Sequence, residues 1–246
     1  MIVRLLQWNI LRKEDPDKVI RLIKKINPDI ITAQELIQNT QLKIDTAEYI
    51  ASKLNLNYFY HAADTWSPAK NGKTSQGNAI FSKFPFLTTG FQYVNQPHHN
   101  PPDANFEGRI YIEVSCNINS KKIFFGTTHL SFSPKFIIND KRRKQVDNLI
   151  SLVKNKKNYC FTGDLNSAPD TYTITQLKKY LVNAGPDFDQ STWTTKPFDY
   201  HGQFKEDKLR WRLDYVFCTP NMKVKSSKII STAVSDHLPI LVEFVI

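Results

Sequence analysis

The sequence contains few cysteines, and their placement argues against a fold built on disulfides. Only 3 of the 246 residues are cysteine: Cys116, Cys160 and Cys218. The odd number and the absence of C-x-x-C spacing argue against both a disulfide framework and a structural zinc site. Since all three fall within apolar strand patterns, we expect small buried side chains in a reducing compartment, and a cytoplasmic location.

The chain also lacks long apolar segments, linkers and repeats. No stretch approaches the roughly 18 apolar residues that a membrane-spanning helix requires. Residues Met1 to Ile10 show a strand pattern without a cleavage site, which does not match a signal peptide. No Gly/Ser-rich or Pro-rich tract divides the chain. We therefore expect one domain over residues 1–246, a monomer, without a transmembrane segment.

Acidic residues are in deficit. The 33 lysines and arginines outnumber the 23 aspartates and glutamates, for a formal net charge of +10. This excess is larger than solubility requires, so it favours a polyanionic partner such as nucleic acid. Peripheral contact with an anionic membrane, or a basic composition without any binding role, is the alternative. The basic run Asp140 to Lys144, on a predicted helix, would either follow a phosphate backbone or form a solvated helix face.

The first third of the chain predicts a βαβ unit. Val3 to Ile10 is apolar and strand-like, and Asp15-Pro16-Asp17 then supplies an N-cap and a proline at the first helical position. Apolar residues at helical spacing follow until Asn27-Pro28, and Asp29 to Ala33 is the next strand. Because a βαβ unit usually joins neighbouring parallel strands, it would bring the ends of these two strands together.

The rest of the chain predicts a mixed α/β fold. Helices are predicted at Thr40–Leu54, Pro134–Val153 and Thr171–Tyr180. Five strands follow the first of these helices and suggest an antiparallel meander with long loops at 64–77 and 95–108. They are Asn57–Ala62, Asn78–Phe84, Thr88–Val94, Arg109–Asn117 and Lys122–Ser131. The remaining strands are Tyr159–Thr162, Leu209–Cys218, Lys223–Ser231 and Pro239–Ile246. The pattern predicts a four-layer α/β sandwich, in which two mixed β-sheets pack face to face with helices outside.

Short polar groups follow or interrupt the hydrophobic runs at six places. They are Gln7-Trp8-Asn9, Gln34-Glu35, Thr128-His129-Leu130, Gly163-Asp164-Leu165-Asn166, Arg212-Leu213-Asp214-Tyr215 and Ser235-Asp236-His237. Carboxylates, amides and imidazoles are costly in a core unless they are paired or bind a metal. Six such groups at strand ends therefore predict a single cleft to which the strands deliver catalytic side chains.

These motifs, in this order, resemble the endonuclease/exonuclease/phosphatase superfamily, which has the DNase I-like fold. The set is WN, QE, GNAIFSKFP, THL, GDLNSAP, RLDYVF and SDHLP, and it extends from Trp8 to Pro239. Each motif alone is weak evidence, but the ordered set is strong. The resemblance implies a metal-dependent hydrolase of phosphate esters that uses Mg²⁺, with Mn²⁺ as the alternative.

On the metal side, Glu35 is a hard oxygen ligand of the kind that Mg²⁺ prefers. The βαβ unit would place Asn9 beside it, as a second ligand or as an orienting amide. By the resemblance, Asp236 would support the same side of the site.

The remaining catalytic roles are those that the resemblance implies. Asp164 would orient or deprotonate the attacking water, while Asn166, His129 and His237 would hold the phosphate. Asp214 would pair with His237, fix its tautomer and raise its pKa. A histidine at position 129 is common to DNase I-like, sphingomyelinase-like and phosphatase-like members and argues against an abasic-site endonuclease.

Three further residues are candidates for substrate binding. Asn78 occupies a position that resembles a common family position near the cleft. Arg109 begins a strand and would contact phosphate or form a surface salt bridge. Trp66, within a polar loop, would stack on a base, whereas Trp193 and Trp211 are expected in the core.

The charge makes a nuclease, a phosphodiesterase of DNA or RNA, the leading expectation. The alternative is a phosphatase or phosphodiesterase acting on phospholipid head groups, inositol phosphates or other small esters. The tryptophan-cysteine-aspartate-arginine signature of inositol 5-phosphatases is absent near Arg210 to Asp214, which weakens that part of the alternative. An inactive binding module is disfavoured, because no residue of the expected catalytic set is missing.

Overall fold

The computed structural model describes residues 1–67, 72–102 and 106–246. The helices are α1 (Pro16–Ile26), α2 (Thr46–Leu54), α3 (Asp140–Val153) and α4 (Tyr172–Leu177), with a 3-10 turn at Pro134–Phe136. The strands are β1 (Ile2–Asn9), β2 (Ile30–Asn39), β3 (Ile44–Asp45), β4 (Asn57–Trp66), β5 (Thr74–Ser82), β6 (Phe86–Asn95), β7 (Arg109–Ile118), β8 (Lys121–His129), β9 (Tyr159–Asp164), β10 (Val182–Asn183), β11 (Phe198–Tyr200), β12 (Phe204–Glu206), β13 (Asp214–Cys218), β14 (Lys223–Ile229) and β15 (Ile240–Val245).

Two mixed sheets form the centre of the protein. The first has the order β14-β15-β1-β2-β5-β4, with β3 paired to β2, and the second has the order β10-β13-β9-β8-β7-β6. The pairs β1–β2 and β8–β9 are parallel, and the other pairs within the two sheets are antiparallel. The predicted βαβ unit is confirmed, because β1 and β2 are adjacent and parallel with α1 between them.

Apolar side chains fill three layers of core. One cluster joins the facing sides of the sheets and contains residues such as Leu5, Ile112 and Val216. A second cluster packs α1 and α2 on the outer face of the first sheet, and a third packs α3 and α4 on the outer face of the second sheet. The four-layer sandwich expected from the sequence is therefore confirmed. The three cysteines are buried and free, also as expected.

Two helices begin later than the sequence predicted, and each begins at a side-chain cap. The Asp45 carboxylate accepts the Glu48 N–H at 2.8 Å, and the residues before it pair with β2 instead of continuing the helix. Asn139 caps the Arg142 N–H at 2.9 Å, so the helix expected from Pro134 is a 3-10 turn followed by α3. Caps of this kind satisfy N–H groups that have no partner within the helix.

Three strand predictions also need correction. The expected meander is divided, because β4 and β5 belong to the first sheet while β6, β7 and β8 belong to the second. The strand expected from Leu209 begins only at Asp214. β4 extends to Trp66 and β5 begins at Thr74, so Trp66 lies on a strand and the expected 64–77 loop is shorter. Of the two long loops predicted, residues 68–71 and 103–105 lie outside the described parts of the chain.

Asp64 anchors the segment between β6 and β7. Its side chain is 2% exposed, and its two oxygens accept the backbone N–H groups of Thr65, His98, His99 and Gly108 at 2.7 to 3.0 Å. Burial raises the pKa of Asp64, but these four donors outweigh it and the net pKa is lowered. Hydrogen bonds to this carboxylate, instead of regular secondary structure, hold His98, His99 and Gly108 beside β4.

A separate aromatic cluster lies beneath the β11–β12 hairpin. Phe136, Trp193, Phe204 and Leu213 are buried in it, and Phe132, Phe198 and Trp211 pack against it. Trp193 also donates its indole N–H to Asp236 at 3.0 Å. The hairpin is thereby packed next to the polar motif near the end of the chain. Among the described residues, no helix is both long and apolar enough to cross a membrane.

Candidate active site

Sheet register places three of the predicted residues side by side at one edge of the second sheet. Asp164 is the last residue of β9, His129 is the last of β8, and Asp214 is the first of β13. In the register, Asp164 is opposite His129 on one side and opposite Asp214 on the other. The directions of the three strands thus bring residues 129, 164 and 214 to one point.

The Asp164 carboxylate is the centre of this group. Its Oδ2 accepts the Asn9 side-chain N–H at 3.0 Å and lies 3.4 Å from His129 Nε2 and 3.5 Å from His237 Nε2. Its Oδ1 accepts the backbone N–H of Asn166 at 3.0 Å. Burial, partly offset by the charge of His237, raises the pKa of Asp164 to about 7. A carboxylate with this pKa can take a proton from water and release it near neutral pH.

His237 is held as a cation by its neighbours. Its Nδ1 lies 2.8 Å from Asp214 Oδ2, and both side chains are buried. Burial lowers the pKa of His237, but the negative charges of Asp214 and Asp164 outweigh it, and the net pKa lies well above the usual value. The imidazolium therefore carries a proton on each nitrogen, and its Nε2–H faces Asp164.

Ligand atoms of Asp164, Asp214 and His237 lie within 4.8 Å of one another, which is close enough for three ligands of one metal. A metal-binding imidazole must, however, offer a neutral nitrogen, whereas Nδ1 of His237 faces Asp214 at 2.8 Å and the raised pKa of His237 favours its protonated form. The three groups are also fully or almost fully buried. We therefore interpret this cluster as a charge-paired triad.

Asn9 and Glu35, the pair predicted to lie on the metal side, are in direct contact. The Asn9 amide donates to Glu35 Oε1 at 3.2 Å, and the Arg12 backbone N–H donates to Glu35 Oε2 at 3.2 Å. The Glu35 side chain is half-buried, at the bulge between Ala33 and Leu36 with φ of 65°. The Asn9 amide presents its N–H₂ to Glu35, while its Oδ1 accepts the Leu11 N–H at 3.1 Å. The half-buried Glu35 carboxylate is thus the hard oxygen ligand that fits Mg²⁺ or Mn²⁺ at this position, and the Asn9 amide orients it.

The structure revises the expected position of Glu35 and constrains Asp236. β2 does not end at Ala33 as predicted but continues to Asn39, and the bulge turns the Glu35 side chain out of the regular alternation of the strand.

Asp236 accepts the Trp193 indole N–H, so one of its oxygens is directed at the aromatic cluster. Its neighbour Ser235 donates to the Asn9 carbonyl at 2.7 Å, which links the last motif to the end of β1. A role of Asp236 toward a metal remains a prediction.

His129 is neutral. Burial lowers its pKa well below the usual value, and the nearby positive charges of Arg109, His237, Arg142 and Arg12 lower it further. The Asn166 side-chain N–H₂ donates to the Leu130 carbonyl at 2.9 Å and lies 3.1 Å from His129 Nε2. Because the Leu130 carbonyl fixes the amide as a donor, Nε2 of His129 is assigned as the acceptor.

The three predicted substrate-binding residues lie along one cleft that reaches His129. Trp66, Asn78 and Arg109 line this cleft together with Gln76 and Glu107. Arg109 does not form a surface salt bridge: it is 4% exposed, and its Nη2 lies 2.6 Å from Glu107 Oε2. Asn78 donates to the Ile110 carbonyl at 3.0 Å, which joins the two sheets at this point.

Sequence reasoning missed the role of Arg142. It is 2% exposed, and its Nη1 donates to Leu165 O, Asn166 O and Ser167 Oγ at 2.8, 3.0 and 2.9 Å. One turn later, Gln145 contacts the backbone and hydroxyl of Ser131. α3 therefore fastens the two loops that carry Asn166 and His129.

A signal for this role exists in the sequence, since Arg142 shares helical spacing with the buried Val146, Leu149 and Val153. The basic run is accordingly not one continuous surface. Arg142 points inward, whereas Arg143 and Lys144 are exposed.

The fold and the site together define a DNase I-like sandwich with a carboxylate-histidine centre at the ends of its strands. The sequence profile of the endonuclease/exonuclease/phosphatase family matches residues 6–237. The chain belongs to this family, whose members are typically hydrolases of phosphate esters. A comparison with curated proteins gives no significant sequence match.

Solved structures show the same fold at low sequence identity. An endonuclease/exonuclease/phosphatase family protein from Leptotrichia buccalis has a TM-score of 0.74 at 21% identity, covering 99% of this chain and 100% of that one. The human nocturnin catalytic domain with bound sulfate has a TM-score of 0.71 at 20% identity, covering 99% and 94%. A mannosyl-6-phosphatase from Bacteroides thetaiotaomicron has a TM-score of 0.68 at 16% identity, covering 99% and 100%.

Proposed function

We propose that this protein hydrolyses a phosphate ester by in-line attack of water, with Mg²⁺ as its cofactor. The observation that carries the proposal is the position of Asp164, a buried carboxylate with a pKa of about 7 between a neutral His129 and a cationic His237. This arrangement combines a proton acceptor with a fixed positive charge, which are the two functions that water attack on a phosphate requires.

The roles of the residues follow from their contacts. Asp164 takes the proton of the attacking water, while Asn9 holds its Oδ2 in place. The His237 imidazolium stabilises charge that develops on the phosphate oxygens, and Asp214 keeps it protonated and oriented. Asn166 and the neutral His129 bind phosphate oxygens or the leaving group.

Glu35 and Asn9 would hold the metal, with Asp236 as a further supporting residue. When bound, the ion would polarise the phosphate and stabilise the leaving oxygen. Mn²⁺ would serve the same donor set.

The proposed substrate class is nucleic acid, which would make the protein a nuclease. The net charge of +10 and the exposed Arg143 and Lys144 on α3 support binding to a polyanion. Arg142 does not contribute to this surface, because it is buried under the Asp164–Asn166 loop. We expect a monomer in the cytoplasm and leave peripheral contact with anionic lipid as a competing use of the basic surface.

Hydrolysis of a small phosphate ester is the second candidate. The Glu107–Arg109 pair in the cleft favours it, because a wall without net charge does not attract a long polyanion. The likeness in fold to a protein described as a mannosyl-6-phosphatase is consistent with this candidate. An inactive binding module has less support, since every residue expected for catalysis is present.

A turnover panel tests the proposal. Each substrate would be incubated with Mg²⁺, with Mn²⁺ or with EDTA. The panel contains plasmid DNA, single-stranded DNA and RNA, sugar phosphates, inositol phosphates, sphingomyelin and bis-p-nitrophenyl phosphate. We expect metal-dependent turnover that Asp164→Asn and His237→Ala each reduce by about 10²-fold or more. Absence of turnover on every ester, or activity in EDTA equal to that in Mg²⁺, would overturn it.

A further inference from the structure

The cleft beside His129 has a wall whose chemistry the proposed reaction does not use. Its members are Trp66 of β4, Gln76 of β5, Arg109 at the start of β7 and Glu107 two residues before that strand. Glu107 and Gln76 are not among the residues predicted from the sequence. Asp64 fixes the backbone beside this wall by accepting the Gly108 N–H at 2.7 Å. The wall is therefore held in place next to the reacting groups.

The polar groups of the wall are only partly satisfied by the protein. Glu107 Oε2 is paired with Arg109, but Oε1 has no donor among the described residues. Gln76 Oε1 accepts from Arg12 Nη1 at 3.0 Å, which fixes the amide and leaves its Nε2–H₂ without an acceptor in the described chain. Arg109 Nε is buried and also lacks a described partner. One free acceptor and free donors thus line a single cleft.

Charge decides which ligand group suits this wall. A second phosphate would be repelled by Glu107, and the positive charge of Arg109 is already committed to that carboxylate at 2.6 Å. An ammonium group would be repelled by Arg12 and Arg109. A hydroxyl is neutral, donates one hydrogen bond and accepts others, so it can donate to Glu107 and accept from Gln76.

We propose that this wall is a subsite for a hydroxylated sugar attached to the scissile phosphate. The sugar hydroxyl binds Glu107 and Gln76, and the half-buried Trp66 indole provides a flat apolar surface for the ring. The proposal rests on the phosphoesterase activity proposed above, since it names the group next to the phosphate. Both a ribonucleotide and a hexose phosphate carry this chemistry, and the 2′-hydroxyl is the group that distinguishes RNA from DNA.

Matched substrate pairs test the subsite. One arm compares an RNA oligonucleotide with the DNA oligonucleotide of the same sequence, and the other compares glucose 6-phosphate with 2-deoxyglucose 6-phosphate. We expect kcat/KM to favour the hydroxylated member of one pair by about 10- to 100-fold, the size of effect expected for a hydrogen bond to a charged group. Preference in the RNA arm identifies a ribose substrate, and preference in the hexose arm identifies a sugar phosphate.

Variants then assign the preference to the wall. Glu107→Gln should reduce the ratio of kcat/KM between the hydroxylated and deoxy substrates at least fivefold. Trp66→Ala should instead lower kcat/KM for both members of the pair and spare bis-p-nitrophenyl phosphate, because the indole contacts the ring that both sugars share. Glu113→Gln is the matched control, because Glu113 also lies in an ion pair, with Lys156 at 2.7 Å, but outside the cleft. It should leave the ratio unchanged.

The outcomes separate this proposal from the proposed function. Turnover of bis-p-nitrophenyl phosphate with a ratio near one in both wild-type arms would refute the subsite and leave the phosphoesterase intact. This comparison needs no variant, so it does not depend on the folding of Glu107→Gln. No turnover of any ester would refute the proposed function itself. A wild-type preference that Glu107→Gln leaves unchanged would also refute the subsite.

Discussion

Nδ1 of His237 lies 2.8 Å from Oδ2 of Asp214, and both side chains are buried against Asp164. The negative charge of Asp214 stabilises the protonated imidazole, which burial alone would drive to the neutral form. The two residues are 23 positions apart and meet because β13 pairs with β9 while Trp8 donates its indole N–H to the His237 carbonyl.

This pairing predicts a non-additive loss of activity. His237→Ala should reduce kcat by about 10²-fold or more, because the charge that stabilises the transition state is lost. Asp214→Asn should cost less on its own, and the double variant should resemble His237→Ala, because the two residues act as a unit. Measured kcat values for the two single variants and the double variant give the coupling. Losses that multiply in the double variant would contradict the pairing.

The metal prediction concerns Glu35. Glu35→Gln replaces the half-buried carboxylate with a weaker neutral ligand, so the Mg²⁺ concentration needed for half-maximal activity should rise by at least tenfold. Mn²⁺ binding, followed by electron paramagnetic resonance, should weaken in parallel and does not depend on turnover. Glu48→Gln on the exposed side of α2 is the control. Unchanged metal affinity in Glu35→Gln would place the metal elsewhere.

A third prediction concerns Arg142. Arg142→Lys keeps the charge, but its Nζ falls one bond short of the Nη1 that makes all three hydrogen bonds to the loop from Leu165 to Ser167. We expect kcat to fall about tenfold with little change in KM, because the loop positions Asn166 without enclosing the substrate. Arg142→Ala should lower the free energy of unfolding by about 3 kcal/mol, since it leaves buried acceptors without partners. Lys144→Ala, on the exposed face of α3, should change neither kcat nor the free energy of unfolding. If it lowered kcat as much as Arg142→Lys does, a specific role of Arg142 would be contradicted.

Asp64 should make stability depend on pH in the acid range. Its pKa in the folded protein is lowered from 3.8, so its stabilising contribution is present above the unfolded pKa and is lost as the pH falls through the folded pKa. Asp64→Asn should therefore reduce the free energy of unfolding by about 1.5–3 kcal/mol near pH 7 and less at pH 2. Urea unfolding at the two pH values measures this, with the exposed Asp189→Asn as control. An equal loss at both pH values would exclude the charge as the cause.

The salt dependence of binding tests the nucleic acid proposal. Affinity for single-stranded nucleic acid should fall steeply as salt increases. Ala at both Arg143 and Lys144 should lower the slope of log K against log salt by about 0.7 for each phosphate that the variant no longer neutralises. Ala at Lys24 and Lys25 of α1 removes the same charge from the opposite outer layer and serves as the control. Equal effects of the two double variants would indicate a general charge effect instead of a binding surface on α3.

Local pattern predicted much of the secondary structure and the order of the polar motifs. The βαβ unit was predictable because Asp15-Pro16 and Asn27-Pro28 bracket an amphipathic helix, and both signals act within a few residues. The helix starts at Thr46 and Asp140 were harder to predict, because Ile44 and Asp45 pair back with the end of β2 and the residues before Asp140 include a 3-10 turn.

The sequence by itself determined which residues are the candidates for the chemistry, since polar groups at the ends of apolar strands are costly unless they are paired or bind a ligand. Tertiary structure decided how they pair. The register of β8, β9 and β13 placed Asp164 between His129 and Asp214, and a bulge in β2 turned Glu35 toward Asn9. The burial of Arg142 and the pairing of Glu107 with Arg109 likewise arise from long-range packing. Register and burial depend on contacts between segments far apart in the chain, and no local pattern records which segments will meet.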